Sequence, residues 1–308
     1  MDNQVYDVAI IGGGPAGLNA ALMLGRARKS VALIDEGQPR NAVTHEMHGF
    51  LTRDGISPSE FRRLAHEEIA AYPSVSFFTE QAVNITGADG RFEMETMQGK
   101  RLVSKKVLFA VGMKDRPLHI PGLKEVYGKS AFVCPYCDGW ELRDQHLVVI
   151  NKGAELMHFV PLLSGWTNHI TVCTNGPDEL TEAEREELRQ HQVLLFDSPI
   201  RQIDSQDGIV QQVVLEDGSS LACRGIFFKP ELVTGCNLPR AIGCEMTETG
   251  AVVVDDFGKT NIPGVYSAGD VTSRFQQAVA AASQGAIVAA MINNELNGAA
   301  WRSKSARM

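Results

Sequence analysis

The chain lacks a second CxxC pair and any HxxxH pattern, and four of its six cysteines stand singly along 308 residues. A structural zinc site needs four ligands, which a second CxxC or closely spaced histidines usually supply. The one CxxC pair therefore favours redox chemistry over half of a zinc site, and no metal centre is predicted. The single cysteines are expected to be small buried apolar residues: Cys173, Cys223, Cys236 and Cys244.

The sequence also lacks any apolar run long enough to span a membrane, any basic leader before such a run, and any repeat or low-complexity tract. We therefore expect a cytoplasmic protein with no membrane partner. A net charge of -8 argues against a nucleic-acid partner. A hydrophobic content of 44% predicts a soluble chain with room for two domains. In the cytoplasm, a disulfide is expected to turn over rather than to stabilise the fold.

The first 35 residues carry a complete dinucleotide fingerprint. An apolar strand pattern from Val5 to Ile11 runs into a glycine turn at residues 12–17, and a helix pattern follows at 18–28. A second strand pattern, Val31 to Ile34, ends on Asp35, about 20 residues beyond the turn, where such folds place the acid that binds a ribose. The glycines let backbone approach a pyrophosphate, and the helix start offers it unpaired N–H groups. These residues predict a bound dinucleotide.

The rest of the chain alternates between strand and helix patterns. Helices are predicted at 59–71, after a capping-box sequence, at 181–190 and from Gln276 onward. Strands are predicted at 75–78, 91–96, 101–103, 106–111, 147–150, 170–173 and 264–270. The predicted fold class is α/β, with two Rossmann-like three-layer domains. One domain comprises residues 1–112 and 244–308, and the other, residues 113–243, is inserted into it.

The CxxC pair is Cys134 and Cys137, followed directly by Asp138. Two thiols at this spacing can close to a disulfide with little backbone movement, and the pKa of one of them is lowered towards neutrality. The pair is therefore predicted to be redox-active.

Five short motifs occur in an order that is typical of one protein family. They are the turn at 12–17, Ala110-Val111-Gly112, Ile120-Pro121-Gly122, the CPYCDG sequence at 134–139, and Ala268-Gly269-Asp270. In this order they resemble the low-molecular-weight bacterial thioredoxin reductases over nearly the whole chain. The resemblance implies an FAD domain, an inserted pyridine-nucleotide-like domain that carries the CxxC pair, and a homodimer.

The resemblance also implies a set of FAD-binding residues. Asp35 would bind the adenosine ribose and Asp270 the ribityl hydroxyls. Gln277 and Ala278 would meet the pyrimidine ring of the flavin, although Gln276 stands where the family has arginine. The full implied set is Gly12, Gly14, Pro15, Ala16, Gly17, Asp35, Glu36, Arg40, Asn41, Val83, Ala110, Val111, Gly112, Gly269, Asp270, Gln277 and Ala278.

The inserted domain departs from the family pattern at its nucleotide turn, residues 150–156. Asn151 replaces the first glycine, Leu156 replaces a small residue, and Pro161 falls where the next helix should continue. Residues 173–176 supply neither the basic cluster expected for NADPH nor an acid for NADH. NADPH use is therefore doubtful. The alternative is a divergent but working site in which Lys152 contacts phosphate.

Electrons can instead enter through the thiols. By family correspondence, Cys134 exchanges with a substrate dithiol, Cys137 passes the electron pair to the flavin, and Asp138 handles the proton. His45 and His48, in a loop expected near the flavin, are candidates for an additional base. Dioxygen is the expected final acceptor, yielding hydrogen peroxide. This pattern resembles the dithiol oxidases that close disulfides in natural products such as gliotoxin and holomycin.

Two other functions remain open. The first is a reductase in which NADPH, a ferredoxin or a flavodoxin reduces FAD, which in turn reduces thioredoxin or a small disulfide. The second is a non-catalytic flavin redox sensor. The expected partners are therefore a small dithiol or disulfide, or a thioredoxin-like protein.

Overall fold

The structure, a computed structural model, describes residues 4–116, 118–273 and 275–305. The chain divides into two units by its internal contacts. Unit 1 comprises Met1–Ala42, Ser59–Lys114 and Leu232–Met308. Unit 2 comprises Val43–Pro58 and Asp115–Glu231.

Strands and helices alternate along both units. The strands are β1 Val5–Ile11, β2 Val31–Ile34, β3 Val75–Phe78, β4 Ala82–Ala88, β5 Arg91–Thr96, β6 Arg101–Phe109, β7 Met113–Arg116, β8 Ala131–Phe132, β9 Leu147–Ile150, β10 Ile170–Cys173, β11 Leu194–Phe196, β12 Ile200–Gln206, β13 Ile209–Leu215, β14 Ser220–Ala222, β15 Gly225–Phe228, β16 Glu231–Thr234 and β17 Val265–Ser267. The helices are α1 Pro15–Arg26, α2 Pro58–Ala70, α3 Leu123–Val126, α4 Pro135–Asp138, α5 Ala154–Leu163, α6 Glu182–Gln190, α7 Leu238–Ala241 and α8 Ala278–Ser305.

Unit 1 is built on a sheet in the order β3-β2-β1-β6-β5-β4, with β17 also paired to β6. Strand β1 is central and parallel to both neighbours, so that Ile11 lies opposite Ile34 on one side and Phe109 on the other. Its residues from Val8 to Ile11 are buried, because successive side chains of the strand pack into two core clusters, one on each face of the sheet. Helix α8 approaches α1 closely, since a Cβ on Gly285 would overlap the carbonyl oxygen of Ala16.

Unit 2 has a parallel sheet in the order β11-β10-β9-β15-β8 and a separate antiparallel sheet, β12-β13-β14. Helix α5 buries Leu156, Val160 and Leu163, which recur at helical spacing and pack in the same core cluster as β9 and β10. Helix α6 begins with a complete capping box between Thr181 and Glu184.

The parallel sheets confirm the predicted α/β class with Rossmann-like units. Some local predictions were wrong. Residues 101–109 form one strand rather than two, because β6 pairs with β1 and β5 along its length. Helix α5 continues through Pro161, which lies in its last turn and so removes only one late hydrogen bond. The C-terminal helix begins at Ala278, two residues later than expected.

The contact-based division differs from the predicted domain ranges at residues 43–58, which belong to unit 2, and at residues 113–114 and 232–243, which belong to unit 1. The segment 43–58 packs tightly on its own unit, because a Cβ on Gly128 would overlap the carbonyl oxygen of Val43. Met47 and Ile56 pair across the same segment. The two chain crossings fall at β7 and β16, which pair with each other. The domain assignment itself stays a prediction.

Among the described residues, no helix has the length and apolar character needed to cross a membrane. A search of the same residues finds no cluster of three or more His, Cys, Asp or Glu side chains placed to hold a metal ion.

Candidate functional site

The glycine turn between β1 and α1 leaves no room for side chains where the backbone packs. A Cβ on Gly12 would overlap the carbonyl oxygen of Ala110, and one on Gly17 would overlap that of Gly12. At Gly14 a Cβ would meet nothing within 4 Å. Gly14 is the N-cap of α1 and offers no side-chain cap, and the first N–H groups of a helix have no partner within it. This cradle fits a pyrophosphate.

Asp35, at the end of β2, is held by its neighbours. It accepts hydrogen bonds from Gly13 N at 2.8 Å and Gly37 N at 3.1 Å, and it forms an ion pair with Arg62. Burial opposes the charge of Asp35, but the hydrogen bonds from Arg62 and Gly13 outweigh burial and hold its pKa below the usual value. Asp35 is therefore an ionised acceptor in the position predicted for a ribose acid.

Polar side chains also meet where β17 ends. Arg40 lies 3.7 Å from Asp270, and its Nη1 donates to Gln276 Oε1 at 2.5 Å. Gly269 adopts a φ of 86° and donates its N–H to Gln284 Oε1 at 2.8 Å. Asp270 and Arg40 therefore lie at the end of β17, where the resemblance to the family predicts the contact with the ribityl hydroxyls.

The other predicted FAD residues all lie in unit 1. Those in or beside turns are Pro15 and Ala16 at the start of α1, Asn41 in a 3-10 turn, Glu36 in an ion pair with Lys114 at 3.1 Å, and Gln277 and Ala278 at the start of α8. Those on or after strands are Val83, 41% exposed on β4, and Ala110, Val111 and Gly112, which follow β6. Gly112 accepts a hydrogen bond from Gly235 N at 3.0 Å. Their roles towards FAD stay predictions.

The redox pair lies in unit 2. Cys134 and Cys137 form a disulfide, with their Cα atoms 5.3 Å apart. Helix α4 brings the two sulfurs together because Cys134 is its N-cap and Cys137 N donates to Cys134 O at 3.0 Å. Pro135, at the first helical position, suits this start. Tyr136 is exposed and meets Trp166 edge-on.

The remaining cysteines have another character. Burial raises the pKa of Cys173 and of Cys223 to about 12, which makes both thiols poor nucleophiles. Cys244 is also buried, as predicted, whereas Cys236 is only half-buried.

Asp138 is the last residue of α4. Burial and the nearby charge of Glu141 raise its pKa to about 7, while His48 acts in the opposite direction. A carboxyl with this pKa can both take up and release a proton near neutral pH.

The segment 43–58 places one of the two candidate histidines beside α4. The His48 ring lies 3.7 Å from Glu141, 3.7 Å from Glu46 and 3.6 Å from Asp54. His45 is exposed, and it is not one of the residues that shift the pKa of Asp138. The structure therefore associates His48, and not His45, with the redox helix.

The nucleotide-like turn of unit 2 is occupied by contacts of the chain with itself. Gly153 N donates to Asp178 O at 2.9 Å, and Lys152 N donates to the side chain of Asn151 at 2.8 Å. Lys152 Nζ pairs with Glu179 at 2.6 Å. The N–H groups of Lys152 and Gly153 and the Lys152 ammonium therefore have other partners, whereas no side chain among the described residues caps the start of α5.

Side chains next to the turn at residues 150–156 also contact other parts of the chain. Glu155, in the first turn of α5, pairs with Lys229 and places a carboxylate at the helix start. The side chain of Leu156 is fully buried, so this departure from a small residue serves the core. After β10, Thr174 bonds to Gly176 O and Asn175 Oδ1 accepts from Ile200 N at 2.7 Å.

Comparison with known proteins agrees with the geometry. The sequence profile of the family described as pyridine nucleotide-disulphide oxidoreductase matches residues 6–285. The chain belongs to this family. It is 31% identical to thioredoxin reductase sirT of Leptosphaeria maculans, over 98% of each chain. The crystal structure of HlmI matches with a TM-score of 0.92 and 33% identity, covering 100% of this chain and 98% of the other. The thioredoxin reductase of Streptococcus pyogenes matches with a TM-score of 0.88 and 25% identity, covering 96% and 100%.

The protein is thus a thioredoxin-reductase-like, FAD-dependent disulfide oxidoreductase. Sequence reasoning missed several side chains at the sites described above: Arg62, Glu141, Glu179 and Gln284. These residues either lie far along the chain from the motifs that they contact or belong to no motif themselves. Only the capping-box signal that predicted α2 gave any indication, by placing Arg62 on a helix.

Proposed function

We propose that this enzyme is a dithiol oxidase, which takes two electrons from a substrate dithiol through Cys134 and Cys137. The observation that carries the proposal is the occupied turn at residues 150–156, where Gly153 N and Lys152 are bound to the chain itself. We further propose that the enzyme is a cytoplasmic homodimer, that its substrate is a small dithiol, and that dioxygen accepts the electrons.

The thiol chemistry balances on this chain's own sulfurs. A substrate thiolate attacks Cys134 Sγ and breaks the Cys134–Cys137 bond, so Cys137 leaves as a thiolate. The second substrate thiolate then attacks the substrate sulfur of the mixed disulfide, which closes the substrate disulfide and releases Cys134. FAD, when bound, would accept the electron pair from the reduced cysteines and pass it with two protons to dioxygen, giving hydrogen peroxide.

Asp138 and His48 supply the proton steps. Because burial and Glu141 raise its pKa to about 7, Asp138 can give a proton to the departing Cys137 thiolate and recover it later. His48, ringed by Glu46, Asp54 and Glu141, can relay that proton to solvent.

The charges around the turn at 150–156 argue against a nicotinamide donor. A nucleotide pyrophosphate binds where N–H groups and cations point at it without competing partners. Here Glu179 holds Lys152, and Glu155 holds Lys229. A pyrophosphate would have to displace both carboxylates and would be repelled by them while doing so.

The alternative is a reductase that takes electrons from NADPH or from a ferredoxin or flavodoxin. The family description and the relatives named thioredoxin reductase favour it. The surface ion pair of Lys152 is also weak, so it can open at a modest cost.

An anaerobic experiment separates the two. The yellow holoenzyme is mixed with a small dithiol such as dithiothreitol in one cell and with NADPH in another, and the flavin absorbance is followed before air is admitted. The proposal predicts bleaching by the dithiol alone, with colour and hydrogen peroxide returning in air. Rapid bleaching by NADPH would establish the reductase instead. A protein that bleaches once and never cycles would be a sensor.

Two cysteine variants provide the matched comparison. Cys137→Ser should abolish bleaching by the dithiol, because the chain then has no Cys134–Cys137 disulfide for the dithiol to reduce. Cys236→Ser changes a half-buried cysteine outside the redox pair and should leave the reaction unchanged.

A further inference from the structure

Both polar atoms of the Gly13 backbone are held by one ion pair. Gly13 N donates to Asp35 Oδ1 at 2.8 Å, and Gly13 O accepts from Arg62 Nη1 at 2.6 Å. Arg62 Nη2 donates to Asp35 Oδ2, which closes a ring of three residues. The side chains of Arg62 and Asp35 are only 18% and 19% exposed, so solvent competes little for these bonds.

This ring fixes the direction of the next peptide N–H. The carbonyl of Gly13 and the N–H of Gly14 belong to one planar trans peptide and point in opposite directions. Because Arg62 holds the carbonyl on its own side, the Gly14 N–H points the other way. A Cβ at Gly14 would meet nothing within 4 Å, so the start of α1 is open there.

The same guanidinium prepares Asp35 for a ribose. A carboxylate has about four acceptor sites, and Gly13, Gly37 and Arg62 use three of them. One site is left for a hydroxyl. The positive charge of Arg62 also offsets the repulsion between Asp35 and a pyrophosphate nearby.

We propose that Arg62 is a positioning residue for FAD, which aims the Gly14 N–H at the pyrophosphate and holds Asp35 ready for the adenosine ribose. Its side chain comes from α2, outside the motifs that indicate a dinucleotide.

The test compares two adjacent arginines of α2. In Arg62→Met the ring is broken, whereas Arg63→Met removes an exposed arginine whose ion pairs, among the residues that the structure describes, are with Glu60 and Glu67 on the same helix surface. Each holoenzyme is diluted, and the release of FAD is followed by its fluorescence. We expect release to be at least tenfold faster for Arg62→Met and unchanged for Arg63→Met. Arg62→Lys, which keeps the charge but cannot hold both partners, should be at least threefold faster.

The readout distinguishes positioning from general support of the fold. ADP carries the same ribose and pyrophosphate, so its affinity for the FAD-free protein should fall by the same factor in Arg62→Met. Equal FAD release from the two methionine variants would overturn the proposal. So would a lower melting temperature of FAD-free Arg62→Met with unchanged ADP affinity. Should Arg62→Met not fold, the same measurements on Arg62→Lys decide in the same way.

Discussion

Replacing Asp138 by Asn should make the enzyme more stable at alkaline pH while it slows turnover. Burial and Glu141 raise the pKa of this carboxyl to about 7, so above neutral pH the folded protein holds an ionised group that the surroundings disfavour. Asparagine keeps the shape of the side chain but never ionises. The variant therefore escapes this cost, and it also loses the proton that the thiol chemistry needs.

The sign and size follow from proton linkage. The folded protein keeps the Asp138 proton from pH 3.8, where an unfolded aspartate loses it, up to about pH 7. Stability therefore falls as pH rises through this window. At about 1.4 kcal/mol per pKa unit, the upper limit is about 4 kcal/mol at pH 8. Residual solvent around the carboxyl reduces this figure, and we expect a gain of about 2 kcal/mol for the variant.

The assay is the melting temperature of the oxidised holoenzyme at several pH values between 4 and 8. At pH 8 Asp138→Asn should melt about 5 °C higher than the parent protein, and the difference should vanish near pH 4. Turnover of a small dithiol at pH 7 should fall at least tenfold. Asp144→Asn makes the same chemical change at an exposed turn of unit 2 and should shift neither quantity. A variant less stable than the parent at pH 8, or a difference independent of pH, would refute the reasoning.

Three further outcomes are expected. Gly285→Val should lower the melting temperature and speed FAD loss, because the new side chain pushes α8 off Ala16; unchanged melting would contradict this. Burial opposes the charge of Glu295, but hydrogen bonds from Lys259, Tyr266 and Lys106 outweigh it and lower the pKa to about 2. Glu295→Gln should therefore cost about 1 to 2 kcal/mol in urea unfolding at pH 7, and this loss should shrink as pH falls below 4.5. Lys152→Ala should turn over the dithiol as fast as the parent protein, and NADPH should reduce the flavin of neither protein. If NADPH reduces the parent protein but not Lys152→Ala, the reductase function is favoured.

Local patterns predicted much of the fold because the decisive signals lie close together in the chain. The strands β1 and β2 are short apolar runs, and the spacing from the glycine turn to Asp35 identifies the dinucleotide unit. The CxxC pair likewise needed no tertiary information, since one turn of α4 brings its sulfurs together.

The rest depended on contacts between distant segments. Arg62 lies 49 residues from Gly13 in the chain, and nothing in its own neighbourhood indicates that contact. Its order in the sequence predicts that the segment 43–58 belongs to the first domain, whereas its contacts group it with unit 2 and bring His48 to α4. Pro161 does not end α5, because a proline in the last turn of a helix costs less than one in its middle.

The occupied turn at 150–156 has a consequence for protein engineering. Anyone wishing to drive this flavoenzyme from a nicotinamide would have to release Lys152 from Glu179, free the Gly153 amide from Asp178, and replace the buried Leu156 without leaving a cavity. Because each of these features opposes a bound pyrophosphate separately, changing any one of them alone should gain nothing. If the proposed function is correct, the packing of residues 150–156 prevents electrons from entering through a nicotinamide. Reversing the direction of electron flow would then require redesign of this whole turn.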